Sequence, residues 1–264
     1  MKRQTLLLSL IIFLFSCGEY QKVLKSSDAN YKYEKAVEYY EKADFARAMP
    51  LLRELTTMLR ATKKSEEVMY YLAYCHYNTS DFITSSYLFK NYVKTFPNGS
   101  HVEECTYMGA YCVYLESPLH SLDATYTRKA IGELQQFINR YPKSSKLIEC
   151  ESLITELHNK LAYKSFENAK QYYITEYYKS AIIALNNLLI DFPGNEYREE
   201  AHFLILKSSY ELAINSISTK IEERLNNTLD AYLVFNDNYP ESEFIKQAQK
   251  LEEQTKQTLN NLNN

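Results

Sequence analysis

The chain is poor in the residues that punctuate sheets. It has five glycines and six prolines in 264 residues, too few for a protein of many strands and tight turns and in keeping with one built almost entirely of helix. Tryptophan is absent, which speaks against the aromatic sugar platforms of glycan-uptake lipoproteins. No block of one charge is present: the net charge is −3 with both signs interspersed, so the basic stripe of a nucleic-acid binder is missing. No Cys-x-x-Cys, Gly-x-Ser-x-Gly elbow, phosphate-binding glycine loop or dinucleotide fingerprint occurs, leaving redox, acyl-transfer and nucleotide chemistry without their usual groups. The sequence suggests no enzyme, cofactor or metal. His101 and Cys105 share a helical face, but the His-Glu-x-x-His pattern of a zinc site is lacking. The reading of choice there is a surface histidine beside a buried cysteine.

Past the first 17 residues no apolar run is long enough to cross a bilayer, which takes about 20 residues. Those first residues are distinctive. Met1-Lys2-Arg3 is basic, Leu6 to Phe15 is apolar, and the stretch ends Leu14-Phe15-Ser16-Cys17-Gly18. That is the layout of a signal peptide ending in a sequence that looks like a bacterial lipobox. The expectation is a signal peptide over 1–16 and a mature chain beginning at a lipidated Cys17, held by several acyl chains. With no Asp after the cysteine, outer-membrane sorting is expected. Residues 18–30 are polar without a sustained period, so 17–30 reads as a lipidated tether, with Ser27 or Asp28 available to cap the first helix.

What the chain does have is tyrosine, 25 of them, and a rhythm. Phe96-Pro97, Tyr141-Pro142, Phe192-Pro193 and Tyr239-Pro240 recur with prolines 45, 51 and 47 residues apart, each after a run with helical apolar spacing. Proline lacks an N–H and disfavours helical geometry in the residue before it, so it ends a helix. A repeated stop implies a repeated helical hairpin, and such hairpins stack into a solenoid. The tetratricopeptide template, with small residues where helices approach and large ones between, fits five times. The expected hairpins span about 31–60, 66–97, 101–142, 162–193 and 197–240. The expected fold is all-α, a tetratricopeptide-like helical-hairpin solenoid of about five repeats plus a capping helix near 242–262. Lys146 to Tyr173 has neither Pro nor Gly and reads as one long helix, dividing the chain into repeats 1–3 over 31–145 and repeats 4–5 with the cap over 146–264. The first hairpin has no closing proline near Arg60.

Cys105 and Cys112 fall on interior template positions, where a cysteine packs as a small hydrophobe. In such repeats the first helix of each hairpin lines the concave face. That predicts a groove over repeats 1–2 lined by Tyr33, Val37, Tyr40, Tyr70, Tyr74 and Tyr77, able to stack on a peptide's side chains and bond its backbone.

The lipobox, the aromatic-Pro breaks with serine-rich caps such as Tyr141-Pro142-Lys143-Ser144-Ser145, the segment Ser117-Pro118 through Ile131-Gly132-Glu133-Leu134-Gln135-Gln136-Phe137-Ile138-Asn139-Arg140, and the run Lys160-Leu161-Ala162-Tyr163-Lys164-Ser165-Phe166-Glu167-Asn168-Ala169-Lys170 together resemble the BamD family. These are lipoprotein subunits of the outer-membrane β-barrel assembly machine, and the resemblance spans essentially the whole mature chain. It implies a non-enzymatic scaffold, anchored in the outer membrane by its lipid and facing the periplasm. It further implies that repeats 4–5 dock the barrel-forming subunit and that repeats 1–2 receive unfolded outer-membrane proteins. The rival readings are another repeat scaffold of the cell envelope, with the same fold and anchor, and a glycan-binding uptake lipoprotein.

Overall fold

The computed structural model describes residues 18–262; the expected signal peptide and Cys17 lie outside them. Helices follow one another without strands among the described residues: α1 over 18–25, then α2 (Ala29–Glu41), α3 (Phe45–Met58), α4 (Lys64–Asn78), α5 (Phe82–Thr95), α6 (Val102–Leu115), α7 (Thr125–Arg140), α8 (Leu147–Ile174), α9 (Tyr178–Asp191), α10 (Arg198–Ile214), α11 (Ser218–Asn238) and α12 (Ile245–Leu262). Consecutive helices pack as hairpins, as the sequence rhythm predicts. None is long and apolar enough to cross a membrane.

The described chain forms two compact units. The first runs to Pro118 and includes Ala124–Ile154; the second comprises Leu119–Asp123 and the residues from Thr155 onward. The expected border lay at residue 145, ahead of α8, whereas the units part within that helix. In the first unit Ala36, Ala48, Leu52, Leu55, Ala73, Ser85 and Phe89 are wholly buried. In the second, Ala162, Phe166 and Ala169 of α8 close on Leu185 and Leu188 of α9 and on Ala201 and Leu204 of α10. Small residues thus sit where helices approach and large ones fill between them, and this apolar burial is the main force holding each unit.

Two turn designs alternate. After α5, α7, α9 and α11 the residue before proline leaves the helix at nearly constant angles: φ −124° and ψ 68° at Phe96, −125° and 65° at Tyr141, −131° and 70° at Phe192, −137° and 57° at Tyr239. Each donates its N–H to the carbonyl four residues back, and proline then prevents continuation. Within hairpins the chain turns through a left-handed residue, Ala43, Ser80 or Glu176, with φ of 56°, 61° and 63°. The N–H of that residue and of the next return to the helix, as in Ser80 to Tyr77 O at 3.0 Å and Asp81 to His76 O at 2.9 Å, the Schellman pattern. Ala61, also left-handed, ends the first hairpin where proline is missing. No glycine occupies these positions; Gly is scarce even where the backbone favours it.

After two of these turns an aspartate caps the next helix: Asp44 accepts from Arg47 N at 3.3 Å and Asp81 from Thr84 N at 3.2 Å. At the equivalent position before α9 stands Tyr177, with almost the same backbone angles and no side-chain cap. Tyr177→Asp should therefore raise the unfolding free energy by about 1 kcal/mol, measured by urea denaturation.

Two features depart from the sequence reading. Pro50 lies inside α3. It faces solvent, as does Ala46, whose carbonyl loses its helical partner to the proline and is within reach of water, so the helix continues. Residues 18–25, expected as part of a free tether, form a docked helix with Val23 fully buried. Three apolar residues, Tyr20, Val23 and Leu24, are too few to show a period but lie on one helical face.

Candidate functional site

The first helices of the first three hairpins, α2, α4 and α6, carry a continuous set of tyrosines. On α2, the Tyr33 hydroxyl donates to Glu67 of α4, and the Lys64 ammonium lies 4.7 Å over the Tyr33 ring. Tyr40 meets Tyr71 at 4.8 Å between centroids and Phe45 at 5.8 Å. On α4, Tyr70 lies 4.8 Å from Tyr74 and stacks on His101 at 4.2 Å. Tyr74 stands edge-on to Phe89 at 5.0 Å, and Tyr77 bridges Tyr74 at 6.1 Å to Tyr111 of α6 at 6.5 Å. Tyr111 stacks between Tyr107 and Tyr114, each at 5.6 Å.

Of the six residues expected to line the groove, Tyr70, Tyr74 and Tyr77 come together directly, and Tyr40 joins them through Tyr71. Tyr33 stands apart on Glu67. All six, Val37 included, are half-buried.

The sequence reading missed the carboxylates. Glu104 Oε1 accepts from Tyr70 at 2.9 Å and also from Tyr74, and Glu149 Oε1 accepts from Tyr107 at 2.7 Å. Tyr33 to Glu67 and Tyr70 to Glu104 are both separations of 34 residues. A tyrosine on one first helix thus clasps a glutamate on the next, and the recurrence of Tyr33, Tyr70 and Tyr107 at 37-residue intervals was the available signal. Lys146 and Tyr107 hold Glu149 below the usual carboxylate range. Burial first, then the glutamate bond, pushes Tyr33, Tyr70, Tyr74 and Tyr107 up, and burial pushes Tyr40 up to about 12. These phenols stay neutral donors across the physiological range. The face offers ring surfaces and acceptor oxygens, the chemistry of stacking and hydrogen bonding along an extended peptide.

No activated nucleophile accompanies it. Cys75, Cys105, Cys112 and Cys150 are free and wholly buried. Burial pushes Cys75 up to about 12 and Cys112 and Cys150 up to about 11, and raises Cys105 as well. His101 turns to Tyr70 and to Glu104 at 3.3 Å, leaving Cys105 in the core. Among the described residues no group of three or more His, Cys, Asp or Glu is placed to hold a metal ion. The four thiols should be silent to a thiol reagent such as Ellman's at pH 8 and titrate fully once the chain is unfolded in guanidinium, because only an exposed thiolate reacts.

The second unit presents a different surface. Between α9 and α11, over α10, lies a cleft of about 340 Å³ lined by Ile182, Ile183, Ile205, Leu212 and Ala231 together with Lys179, Ser209, Arg224 and Asn227. Ile183 and Ile190 on α9, and Leu233 and Val234 on α11, are exposed. A largely aliphatic cleft with the exposed Ile183 on its wall suits a protein partner.

A family model described as "Outer membrane lipoprotein" (YfiO) matches residues 25–225. The chain is 28% identical over 210 residues to the putative outer membrane protein assembly factor BamD of Aquifex aeolicus, covering 77% of this chain and 67% of that protein. It is 21% identical over 237 residues to the outer membrane protein assembly factor BamD of Buchnera aphidicola, covering 84% of this chain and 96% of that protein.

Proposed function

Because the chain belongs to the YfiO family of outer membrane lipoproteins, we propose that it is an assembly factor for outer-membrane β-barrel proteins, a lipid-anchored scaffold that performs no chemistry on its clients. The first unit receives unfolded barrel chains on the tyrosine face of α2, α4 and α6, and the second unit docks the barrel-forming subunit. The observation that carries this reading is the unbroken series of rings from Tyr40 through Tyr70, Tyr74 and Tyr77 to Tyr111. A nascent barrel strand alternates apolar and polar residues and is rich in interface aromatics. Stacking places for alternate side chains, with hydroxyl and carboxylate groups for the backbone, match it, and several weak contacts let it leave again. The isoleucine-rich cleft of the second unit suits a lasting partner better. A lipid at Cys17 would confine both encounters to the membrane surface and raise their effective concentration.

The test is a tagged pull-down from detergent-solubilised outer membranes. The expected result is co-elution, in near-equal amount, of a large β-barrel protein with tandem periplasmic domains; abundant tagged protein without it sinks the proposal. Client recognition has its own measurement. Tyr70→Ala with Tyr74→Ala should weaken binding of a peptide copied from a terminal barrel strand by about 30-fold, the loss of two aromatic anchors worth roughly 2 kcal/mol. Unchanged affinity in the folded double variant would place the client elsewhere.

A further inference from the structure

A chain free over 17–30 would reach about 45 Å from its anchor when fully extended and about 20 Å on average. The docked α1 removes most of that leash. It lies antiparallel to α2, with Val23 inside the core of the first hairpin. Near its N-terminal end Tyr20 meets Tyr39 edge-on at 5.8 Å, the Arg47 guanidinium lies 5.9 Å over the Tyr20 ring, and Glu19 pairs with Lys35 at 3.3 Å. At its C-terminal end the wholly buried Lys32 donates to the Leu24 carbonyl at 3.1 Å and pairs with Glu54 at 2.6 Å. A cation on the last carbonyls of a helix satisfies acceptors that the helix cannot satisfy itself. Undocking α1 would take away the Leu24 carbonyl and leave Lys32 with Glu54 of α3 alone, so the cost of opening includes this charge-assisted hydrogen bond. Tyr39 and Arg47 flank the α2–α3 turn, so Gly18 lies at the turn end of the first hairpin.

We propose that the α2–α3 turn, Lys42 to Asp44, is a membrane-facing surface, held against the lipid headgroups by α1. The proposal rests on the reading of Cys17 as the lipidated residue. Cys17 is bonded to Gly18, so the slack between the acyl chains and the folded body is one or two residues, about 3.5 Å each. Lipid and docked helix together fix the first unit by its turn end, and the tyrosine face stands at a set attitude to the bilayer.

The experiment uses the full acylated protein in vesicles of phosphatidylethanolamine and phosphatidylglycerol carrying a headgroup acceptor dye. A donor dye is placed on one introduced surface cysteine, Lys42→Cys at the turn or Arg60→Cys at the far end of α3; the native thiols are buried and remain unlabelled. The two sites are separated by the length of α3, about 21 Å for 14 residues. Energy transfer should be several-fold stronger from position 42. Val23→Asp with Lys32→Met should undock α1 and bring the two signals close to equal. Ten Gly and Ser residues inserted between Cys17 and Gly18 should do the same while leaving every docked contact in place, which covers the case of an undocked variant that misfolds. Equal transfer from both sites in the native protein, or a difference that survives the insertion, overturns the proposal. The intact mass separates the two readings: a chain without acyl groups fails the anchor reading itself, and an acylated chain with equal transfer fails only the docking proposal.

Discussion

Glu66→Ala should lower the unfolding free energy of the first unit by about 3 kcal/mol at pH 7, as read by urea denaturation. Its Oε1 accepts from the Tyr92 hydroxyl, from Ser100 N at 2.7 Å and from Ser100 Oγ at 2.8 Å. Tyr92 is wholly buried, so its hydroxyl has no water to turn to, and a buried donor left unmade costs about 1–3 kcal/mol. The same knot bears on Gly99: a Cβ there would lie 2.8 Å from Glu66 Oε1 and 2.9 Å from Tyr92 Oη, so a side chain at this turn would displace the carboxylate from its partners. Tyr92→Phe removes the bond to Glu66 and the one its hydroxyl accepts from His101 N at 3.2 Å, leaves the two serine contacts, and should cost about half as much.

The effect carries a pH signature. The Tyr92 bond is the main cause holding the Glu66 carboxyl below its ordinary value. A carboxylate whose folded pKa is depressed stabilises above its unfolded pKa, about 4.3, and that contribution fades as pH falls through the folded value. The gap between native and Glu66→Ala proteins should therefore narrow below about pH 4. The phenols set the opposite limit. Their folded pKa values are raised, Tyr40 to about 12, so their stabilisation is whole below about pH 10 and is lost as pH rises through the folded values. If the gap held constant down to pH 2, the carboxylate would not be the source of the effect.

Phe235→Ala should be the more damaging change in the second unit, costing about 4 kcal/mol and lowering the melting temperature by on the order of 10 °C. Phe235 is wholly buried among Phe203 at 5.7 Å and Tyr239 at 5.6 Å, and Phe203 in turn stacks on Phe244 at 4.6 Å. Ala248 of α12 closes the same cluster, so the cavity opens where the last helix seats. Leu233→Ala, on an exposed position of the same helix, should change stability by less than about 0.5 kcal/mol. Similar losses from both would mean that α11 does not present these faces as described.

Much of the fold was legible because helix stops are local. Proline acts on its own turn and the residue before it, so the four breaks and the long α8, expected over 146–173 and found at Leu147–Ile174, needed no tertiary information. What failed depended on partners distant in sequence. In the last turn of α8 helical spacing alone does not say which tyrosine turns inward: Tyr172 is 45% exposed, and Tyr173 packs on the core of the second unit. Nothing within α1 shows that it docks, because the groups that hold it, Lys32, Tyr39 and Arg47, belong to the next hairpin. Nothing near Lys32 shows that a lysine will be buried, since Glu54 comes 22 residues later. At the candidate site the tyrosines could be placed by helical spacing, whereas Glu67, Glu104 and Glu149 acquire their roles only when one first helix lies against the next.

The four buried thiols impose a race. On the proposed route to the cell envelope the chain emerges reduced into an oxidising compartment, where a mispaired cysteine would tie one hairpin to the wrong neighbour. Oxidation takes seconds to hours. Helical hairpins close between residues near in sequence, and chains rich in such local contacts fold in microseconds to milliseconds. Cys75, Cys105, Cys112 and Cys150, all buried and unpaired, can thus be sealed in the interior before an oxidant reaches them.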